Sequence, residues 1–344
     1  MRRLNSWIIV LMAVLLVGGL SPKEALPQAQ EVIKLKLATH WPIPHLMTSV
    51  MKSWIQDMET STEGRLKITY YGGMQLLTLW DALGKISSGI VEMGNIAPTF
   101  YPGQFPLITV NDLPMAYSSA TQGTKVLNEL IGLDLFNSEF EAKNLKLLWG
   151  LTAPPYVPIL AKKQIQTLED WKGLRFRSIG GAQKMALETF GAIPVAVSGG
   201  DIFTTLQRGT IDGATIPVSA AGAFKLNEIA NHVTNIGLVT AAIVLTMNLD
   251  TWNSLPKEIQ SAVIKVSADA AQKAGSLYDQ KEAKAFAAWK KAGINIYTPP
   301  RAEMVRWEKA LSPIWDNWIS KNEAKGLQAK KIVEQMKKLA KEYK

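Results

Sequence analysis

WKGLRFRSIGGAQKMALETFGAIPVAVSGGDIFTTLQRGTIDGATIP, at residues 171–217, is the stretch that decides the fold of this chain. Arg175 and Arg177 alternate there with apolar or small residues, which predicts a short strand with both arginines on one face. A Gly-Gly pair precedes each of the two helical segments that follow, and an Asp-Gly turn ends the stretch. The stretch therefore predicts two consecutive β-α units. An arginine on such a strand either binds an anion or extends into solvent, and the spacing leaves both interpretations open.

Four short motifs follow one another within this stretch: GLRFR at 173–177, FGAIP at 190–194, DIFTTLQ at 201–207 and GTIDG at 209–213. Their order resembles the second lobe of the solute receptors of TRAP (tripartite ATP-independent periplasmic) transporters, which bind C4-dicarboxylates, sialic acid and other organic acids. LKLATHWP at 35–42 and MNLDTWNSLP at 247–256 are similar to further segments of the same family. The resemblance therefore covers about residues 32–330.

The resemblance implies an α/β fold, a two-lobed periplasmic binding protein with a hinge and a long helix that braces both lobes. Lobe I would comprise residues 32–152 with 242–280, and lobe II residues 153–241 with 281–335. Residue patterns independently predict strands at 33–37, 66–71, 91–97 and 241–248, and helices at 45–60, 79–88 and 257–293. Alternation of this kind favours a largely parallel sheet.

The N-terminal 29 residues predict a secretory signal peptide. Arg2 and Arg3 precede an apolar run at 7–20, which is shorter than the ~20 residues needed to span a bilayer. Cleavage after Gly19 or Ala29 is compatible with the sequence. The predicted location is therefore the periplasm. Because the 344-residue chain has no Cys, its fold must depend on the core rather than on disulfides, and its length allows this.

The formal net charge of +9 is concentrated in part at the C-terminus, where seven lysines lie within residues 325–344. Ile332, Val333, Met336 and Leu339 form one apolar stripe in this segment, which predicts a helix packed on a lobe. A basic amphipathic helix could instead contact an anionic membrane surface. Nucleic-acid binding is disfavoured, because no aromatic-basic interleaving accompanies the charge.

Sequence motifs for catalysis are absent. The chain has no phosphate-binding glycine loop, no Gly-x-Ser-x-Gly elbow, no His-Glu-x-x-His and no thiol. His40 and His45 are spaced for metal ligation, but no acidic residue lies between them. The sequence therefore predicts no enzyme, no cofactor and no metal. Two alternatives remain open at this stage, a secreted α/β enzyme acting on a carboxylate and a periplasmic sensor-type binding protein.

Arg177 matches the family arginine that binds the ligand carboxylate, and a planar guanidinium can contact two oxygens at once. Arg175 matches a position usually held by lysine and is expected to face solvent. The resemblance and the predicted strand ends add nine candidate ligand contacts, for each of which packing is the plain alternative: His40, Trp41, Asn95, Trp149, Tyr156, Asp201, Phe203, Thr215 and Ile216. Asp201 is also expected to cap the helix that follows it.

Two departures from the family pattern bear on the ligand. Receptors for dicarboxylates or sialic acid tend to carry a second arginine in the hinge strand and an asparagine after Asp-Gly. Here the hinge at 149–156 has no arginine, and Ile216 occupies the place of the asparagine. The sequence therefore predicts a monocarboxylate or 2-oxo acid with an apolar or aromatic body. The implied partners are this small organic acid and the small and large membrane subunits of a TRAP carrier.

Overall fold

The computed structural model describes residues 32–101 and 103–344, so the predicted signal peptide lies outside the described residues. The strands are β1 Ile33–Ala38, β2 Leu66–Tyr71, β3 Met93–Ile96, β4 Leu145–Thr152, β5 Val157–Leu160, β6 Arg175–Ser178, β7 Ile193–Ala196, β8 Gly213–Ile216, β9 His232–Thr234, β10 Ala242–Asn248 and β11 Asn295–Tyr297. The α-helices are α1 Leu46–Ser61, α2 Ala82–Ser87, α3 Ala120–Ile131, α4 Asp134–Glu141, α5 Gly181–Thr189, α6 Ile202–Gln207, α7 Val218–Ala223, α8 Leu249–Ser254, α9 Lys257–Lys291, α10 Arg301–Glu323 and α11 Ala329–Glu342.

The strands form two separate sheets. The first has the order β2-β1-β3-β10-β4, and the second has the order β11-β9-β5-β8-β6-β7. The α/β, two-sheet architecture is the predicted one. The expectation of a largely parallel arrangement is wrong in part, because β10 is antiparallel to both of its neighbours and β5 is antiparallel to β8 and β9. These strands enter their sheets from segments that cross between the sheets, so no covering helix requires them to run parallel.

Element boundaries follow local hydrogen bonding. The strand predicted at 66–71 is β2. The helix predicted from residue 45 begins one residue later, because His45 lies at its N-cap and its Nδ1 accepts the N–H of Met47 at 3.2 Å. The long helical signal at 257–293 is a single helix, α9, of 35 residues.

Two extended segments cross between the sheets side by side. One joins β4 to β5, and the other leads from β9 to β10. The N–H of Ala153 donates to the carbonyl of Ala241 at 2.9 Å, and the N–H of Tyr156 donates to Val239 at 2.8 Å. The crossing segments therefore support each other through backbone hydrogen bonds.

A short 3₁₀ helix at Ile108–Asp112 binds both crossing segments. Asn111 accepts hydrogen bonds from the hydroxyls of Thr152, at 2.9 Å, and Thr240, at 2.7 Å. The buried carboxyl of Asp112 accepts the N–H of Ala242 at 2.8 Å. Burial raises the pKa of Asp112 to about 7. This polar contact ties the crossing segments to the first sheet.

Helix α9 binds helices on both sides of the crossing. The Asp279 carboxylate accepts the first two N–H groups of α3 at 2.8 and 2.9 Å. One turn later, Glu282 accepts the first two N–H groups of α7 at 2.7 and 2.9 Å. Each carboxylate satisfies N–H groups that a helix leaves without an internal partner. Helix α9 therefore positions the two helices relative to each other.

The C-terminal apolar stripe is buried as predicted. Ile332, Val333, Met336 and Leu339 of α11 belong to one large apolar cluster, and α11 packs on α3 and α10. The apolar side of this helix is therefore covered by protein rather than exposed. No helix within the described residues combines the length and the apolar character needed to cross a membrane.

Candidate functional site

Arg177 lies on β6, between β7 and β8 in the second sheet. It is paired with Val195 on one side and with Ala214 on the other. Phe176, the residue before it, points to the opposite face and is fully buried. The packing of Phe176 therefore fixes which face of the sheet carries Arg177.

Arg177 is a half-buried cation without an internal counterion. Its Nε donates to the carbonyl of Val197 at 3.3 Å, and no carboxylate among the described residues forms an ion pair with it. Burial lowers the pKa of Arg177 from its ordinary value, although nearby Tyr156 acts in the opposite direction. Guanidinium stays protonated in proteins. The remaining N–H groups are therefore available to an external anion.

Arg175, on the same face of the same strand, differs because it has an internal partner. Its Nε and Nη2 donate to the two Asp212 oxygens at 3.0 and 2.9 Å, and Nη2 also donates to the carbonyl of Gly209. The pair raises the pKa of Arg175 and lowers that of Asp212. The expectation that Arg175 faces solvent is confirmed, since 44% of its side chain is exposed, but its ion pair was not predicted, because the partner lies in the Asp-Gly turn 37 residues away.

Thr215 holds the strand of Arg177 in place. Its hydroxyl donates to the carbonyl of Arg177 at 3.2 Å and accepts the amide of Gln183 at 2.7 Å. Gln183 in turn accepts the N–H of Ile179 at 2.7 Å. Thr215, expected to contact ligand, is thus occupied by the protein. The role of Gln183 could not be predicted from the sequence, because a single glutamine in a helix is ordinarily exposed to solvent.

His40 and Asn95 meet at the carboxyl ends of β1 and β3. The Asn95 Oδ1 accepts the N–H of His40 at 3.2 Å, and Nδ2 lies 2.6 Å from the Nδ1 of His40. Since the amide nitrogen can only donate, His40 accepts at Nδ1 and carries its proton on Nε2. Burial lowers the pKa of His40 to about 4, so the ring is neutral at pH 7.

Trp41 and His45 continue this surface toward α9. Their rings are stacked with 6.1 Å between centroids, and the Tyr278 ring of α9 meets His45 edge-on at 6.3 Å. Burial, the charge of Lys281 and His40 lower the pKa of His45 to about 4. Trp41 is only 4% exposed, so little of its ring remains for a ligand.

Tyr156 connects this surface with Arg177. It lies where the chain has just crossed from the first sheet, and Arg177 influences its pKa, which burial raises. Tyr156 also contributes to the raised pKa of Tyr278. The phenol of Tyr156 is therefore within electrostatic reach of both Arg177 and α9.

Three other candidates have packing roles, and a fourth, Asp201, is exposed. Trp149 and Ile216 are 3% and 4% exposed and belong to apolar cores, which disfavours direct contact with a ligand. Phe203 is half-buried against the core of the second sheet. The expected capping role of Asp201 is wrong, because its backbone is already helical and its carboxylate instead accepts the Ser198 hydroxyl at 2.6 Å.

A cavity of about 700 Å³ lies elsewhere, on the side of α9 that carries Asp279 and Glu282. Both carboxylates already bind helix N-termini. Arg177 and His45 do not line this cavity. We therefore place the candidate site at Arg177, whose guanidinium has no carboxylate partner in the part of the chain that the structure describes.

The lowered pKa of His40 predicts a pH dependence of stability. The His40 pKa is about 4 in the folded chain and 6.5 ordinarily, so the unfolded chain takes up the proton first as the pH falls. Native stability is therefore lost between about pH 6.5 and 4, by up to roughly 3 kcal/mol for this group. Relative to wild type, His40→Gln should gain stability over this interval in urea denaturation. The comparison must be with wild type, since Asp112, whose pKa is raised, acts in the opposite sense. A difference independent of pH would contradict the assignment.

Two sheets joined by crossing segments and by a long helix, and an arginine with no carboxylate partner among the described residues, are features of a two-lobed α/β ligand-binding protein. Residues 37–322 match the family described as bacterial extracellular solute-binding protein, family 7 (DctP). The chain belongs to this family. The resemblance to TRAP solute receptors drawn from the motifs is thereby confirmed.

Three relatives illustrate the family. The C4-dicarboxylate-binding periplasmic protein DctP of Rhodobacter capsulatus is 26% identical over 280 residues, which cover 79% of this chain and 82% of that protein. A monocarboxylate 2-oxoacid-binding periplasmic protein of Nostoc sp. is 24% identical, with 90% and 85% covered. A TRAP solute-binding protein of an unidentified marine microbe, described as specific for aromatic acid ligands and solved with 3-hydroxybenzoate, is 24% identical, with 91% and 99% covered and a TM-score of 0.82.

Proposed function

We propose that this chain is a periplasmic receptor that captures an organic carboxylate and delivers it to the membrane subunits of a TRAP carrier. The observation that carries the proposal is the half-buried Arg177, whose guanidinium has no carboxylate partner among the described residues. A cation removed from water is unfavourable unless an anion pairs with it. Arg175, on the same strand, differs because it already pairs with a carboxylate of the chain.

Closure of the two lobes supplies the mechanism. We assign residues 32–152 with 242–280 to lobe I and residues 153–241 with 281–335 to lobe II. Arg177 then belongs to lobe II, whereas His40, Asn95 and His45 belong to lobe I. A ligand that contacts both sets stabilises the closed state by as much as it binds that state better than the open one.

The favoured ligand is a monocarboxylate or 2-oxo acid with an apolar or aromatic body. The crossing segment at 149–156 offers no second arginine, and Ile216 is buried in the core. A second ligand carboxylate in lobe II would thus lack a matching cation. Family membership does not decide the point, since relatives are named for both C4-dicarboxylates and 2-oxo acids.

A thermal-shift panel tests the ligand class. At one pH and salt concentration, aromatic or branched monocarboxylates and 2-oxo acids should raise the melting temperature more than succinate, malate or fumarate. A ligand at 100 times its Kd stabilises the native state by about 2.7 kcal/mol, which is enough to detect. A larger shift with succinate would overturn the ligand class but leave the receptor function standing. A shift with a neutral sugar, and with no organic acid, would overturn the carboxylate proposal itself.

A further inference from the structure

Helix α9 carries one continuous buried face, and Lys281 interrupts it. Tyr278, three residues before Lys281, packs in the core of the first sheet. Ala285 and Trp289, four and eight residues after it, pack in the core of the second sheet. Residues at this spacing share one face of a helix. Lys281 therefore lies on the inward face of α9, where the helix passes from one core to the other.

Lys281 is half-buried at this junction and has no hydrogen bond or carboxylate partner within the described residues. Glu282, its neighbour, is occupied by the N-terminus of α7. The buried parts of α9 elsewhere are mostly apolar. An ammonium group in this position is thus free to bind a group that comes from outside the chain.

His45 faces the same junction and offers a hydrogen-bond donor. Its ring contacts Tyr278, one turn from Lys281, and its pKa responds to the charge of Lys281. The Nδ1 of His45 accepts the N–H of Met47, so the neutral ring carries its proton on Nε2. The Nε2–H group has no hydrogen-bond partner among the described residues and can donate to a ligand oxygen.

Tyr156 joins this junction to the carboxylate site. It lies within electrostatic reach of Arg177 and also of Tyr278. Tyr156 directly precedes Val157 of β5, which pairs with β8, and β8 also pairs with the strand of Arg177. The pair formed by His45 and Lys281 lies beside Tyr278, whose pKa Tyr156 also influences. A ligand with its carboxylate at Arg177 would extend its other end toward this pair.

We propose that Lys281 and His45 form a second polar subsite, which binds a hydroxyl or other neutral acceptor oxygen at the end of the ligand remote from its carboxylate. This proposal rests on the proposed function, because the carboxylate at Arg177 orients the ligand. A neutral oxygen is favoured over a second carboxylate by the local charge, since Asp279 and Glu282 lie on the same turn as Lys281. Lys281 is then a specificity-determining residue for the receptor.

Calorimetry with benzoate, 3-hydroxybenzoate and isophthalate tests the subsite. At the same ring position, benzoate carries no oxygen, 3-hydroxybenzoate carries a neutral oxygen and isophthalate carries a second carboxylate. Wild type should bind 3-hydroxybenzoate about tenfold more tightly than benzoate, and Lys281→Met should remove most of this difference while leaving benzoate affinity within about twofold. His45→Asn, which retains a capping side chain, should act in the same direction.

The matched control is Lys284→Met, an exposed lysine on the same helix, which should change neither affinity. Equal affinities for benzoate and 3-hydroxybenzoate in wild type, or an equal loss for both in Lys281→Met, would overturn the subsite alone. Preference for isophthalate would overturn the neutral-oxygen assignment. Failure of all three acids to bind wild type would overturn the subsite, whereas failure of every carboxylate in the wider thermal-shift panel would overturn the proposed function as well.

Discussion

Arg177→Ala is expected to weaken carboxylate binding on the order of 100-fold or more, with a free energy of unfolding close to that of wild type. Removing one partner of a buried, hydrogen-bonded charge pair costs about 2–5 kcal/mol in binding. The stability of the unliganded chain should change little, because Arg177 makes one long hydrogen bond and no ion pair among the described residues. Calorimetry with the tightest-binding carboxylate of the thermal-shift panel measures the first quantity, and urea denaturation measures the second.

Arg175→Ala is the matched control, since it removes the same side chain from the same face of β6. It should keep the ligand affinity and lower the midpoint of unfolding, because Arg175 binds Asp212 and the Gly209 carbonyl. Arg177→Lys should also bind poorly, since an ammonium cannot reproduce the two-oxygen contact of a guanidinium. Unchanged affinity in Arg177→Ala would contradict the assignment of the carboxylate site.

The sequence alone distinguishes helices from strands, but it does not distinguish the role of Arg175 from that of Arg177. Alternation treats Arg175 and Arg177 alike, because it reports only the face of the strand on which a side chain lies. What distinguishes them is Asp212, which the parallel pairing of β6 with β8 brings beside Arg175. That pairing is a tertiary contact. Only the resemblance to a family singled out Arg177.

Local sequence patterns also could not show which apolar side chains are buried in a core. Trp149 and Ile216 are as apolar as a pocket wall requires, yet each belongs to a core because of the position of its strand in the sheet. The proposed pairing of His45 with Lys281 left no signal in the sequence, for a related reason. Their proximity depends on α9 returning to α1 after more than 230 residues, and no spacing in the sequence records that contact.

The length of α9 was easier to predict, because it depends on the pattern within a single helix. The helical pattern at 257–293 corresponds to one continuous helix. Its buried face packs first on one core and then on the other, while the spacing of the buried residues stays helical. The antiparallel insertion of β10 was not predictable in the same way. A mostly apolar strand of seven residues has the same pattern in either direction, and the direction is set by the crossing segment before it.

Phe176→Ala is expected to lower the free energy of unfolding by about 3–5 kcal/mol, the usual cost of removing a buried aromatic ring. The Phe176 ring is fully buried, 5.2 Å from Trp171 between centroids, and Trp171 in turn contacts Phe190 and Trp307. The ring also fills the space beside β8, where a Cβ on Gly213 would lie 2.5 Å from it. Urea denaturation of the variant measures the loss.

Phe176→Ala also tests whether the two faces of β6 have separate roles, one in stability and the other in ligand binding. Phe176 points into the core while Arg177 points away from it, so the folded fraction of Phe176→Ala should bind carboxylate with an affinity near that of wild type. Phe203→Ala provides the comparison, since its half-buried ring should cost less stability. If Phe176→Ala lost binding as strongly as Arg177→Ala while remaining folded, the aromatic cluster would be required to position the guanidinium. The position of Arg177 would then depend on side-chain packing behind the sheet, and the hydrogen bond from Thr215 would not be enough to fix it.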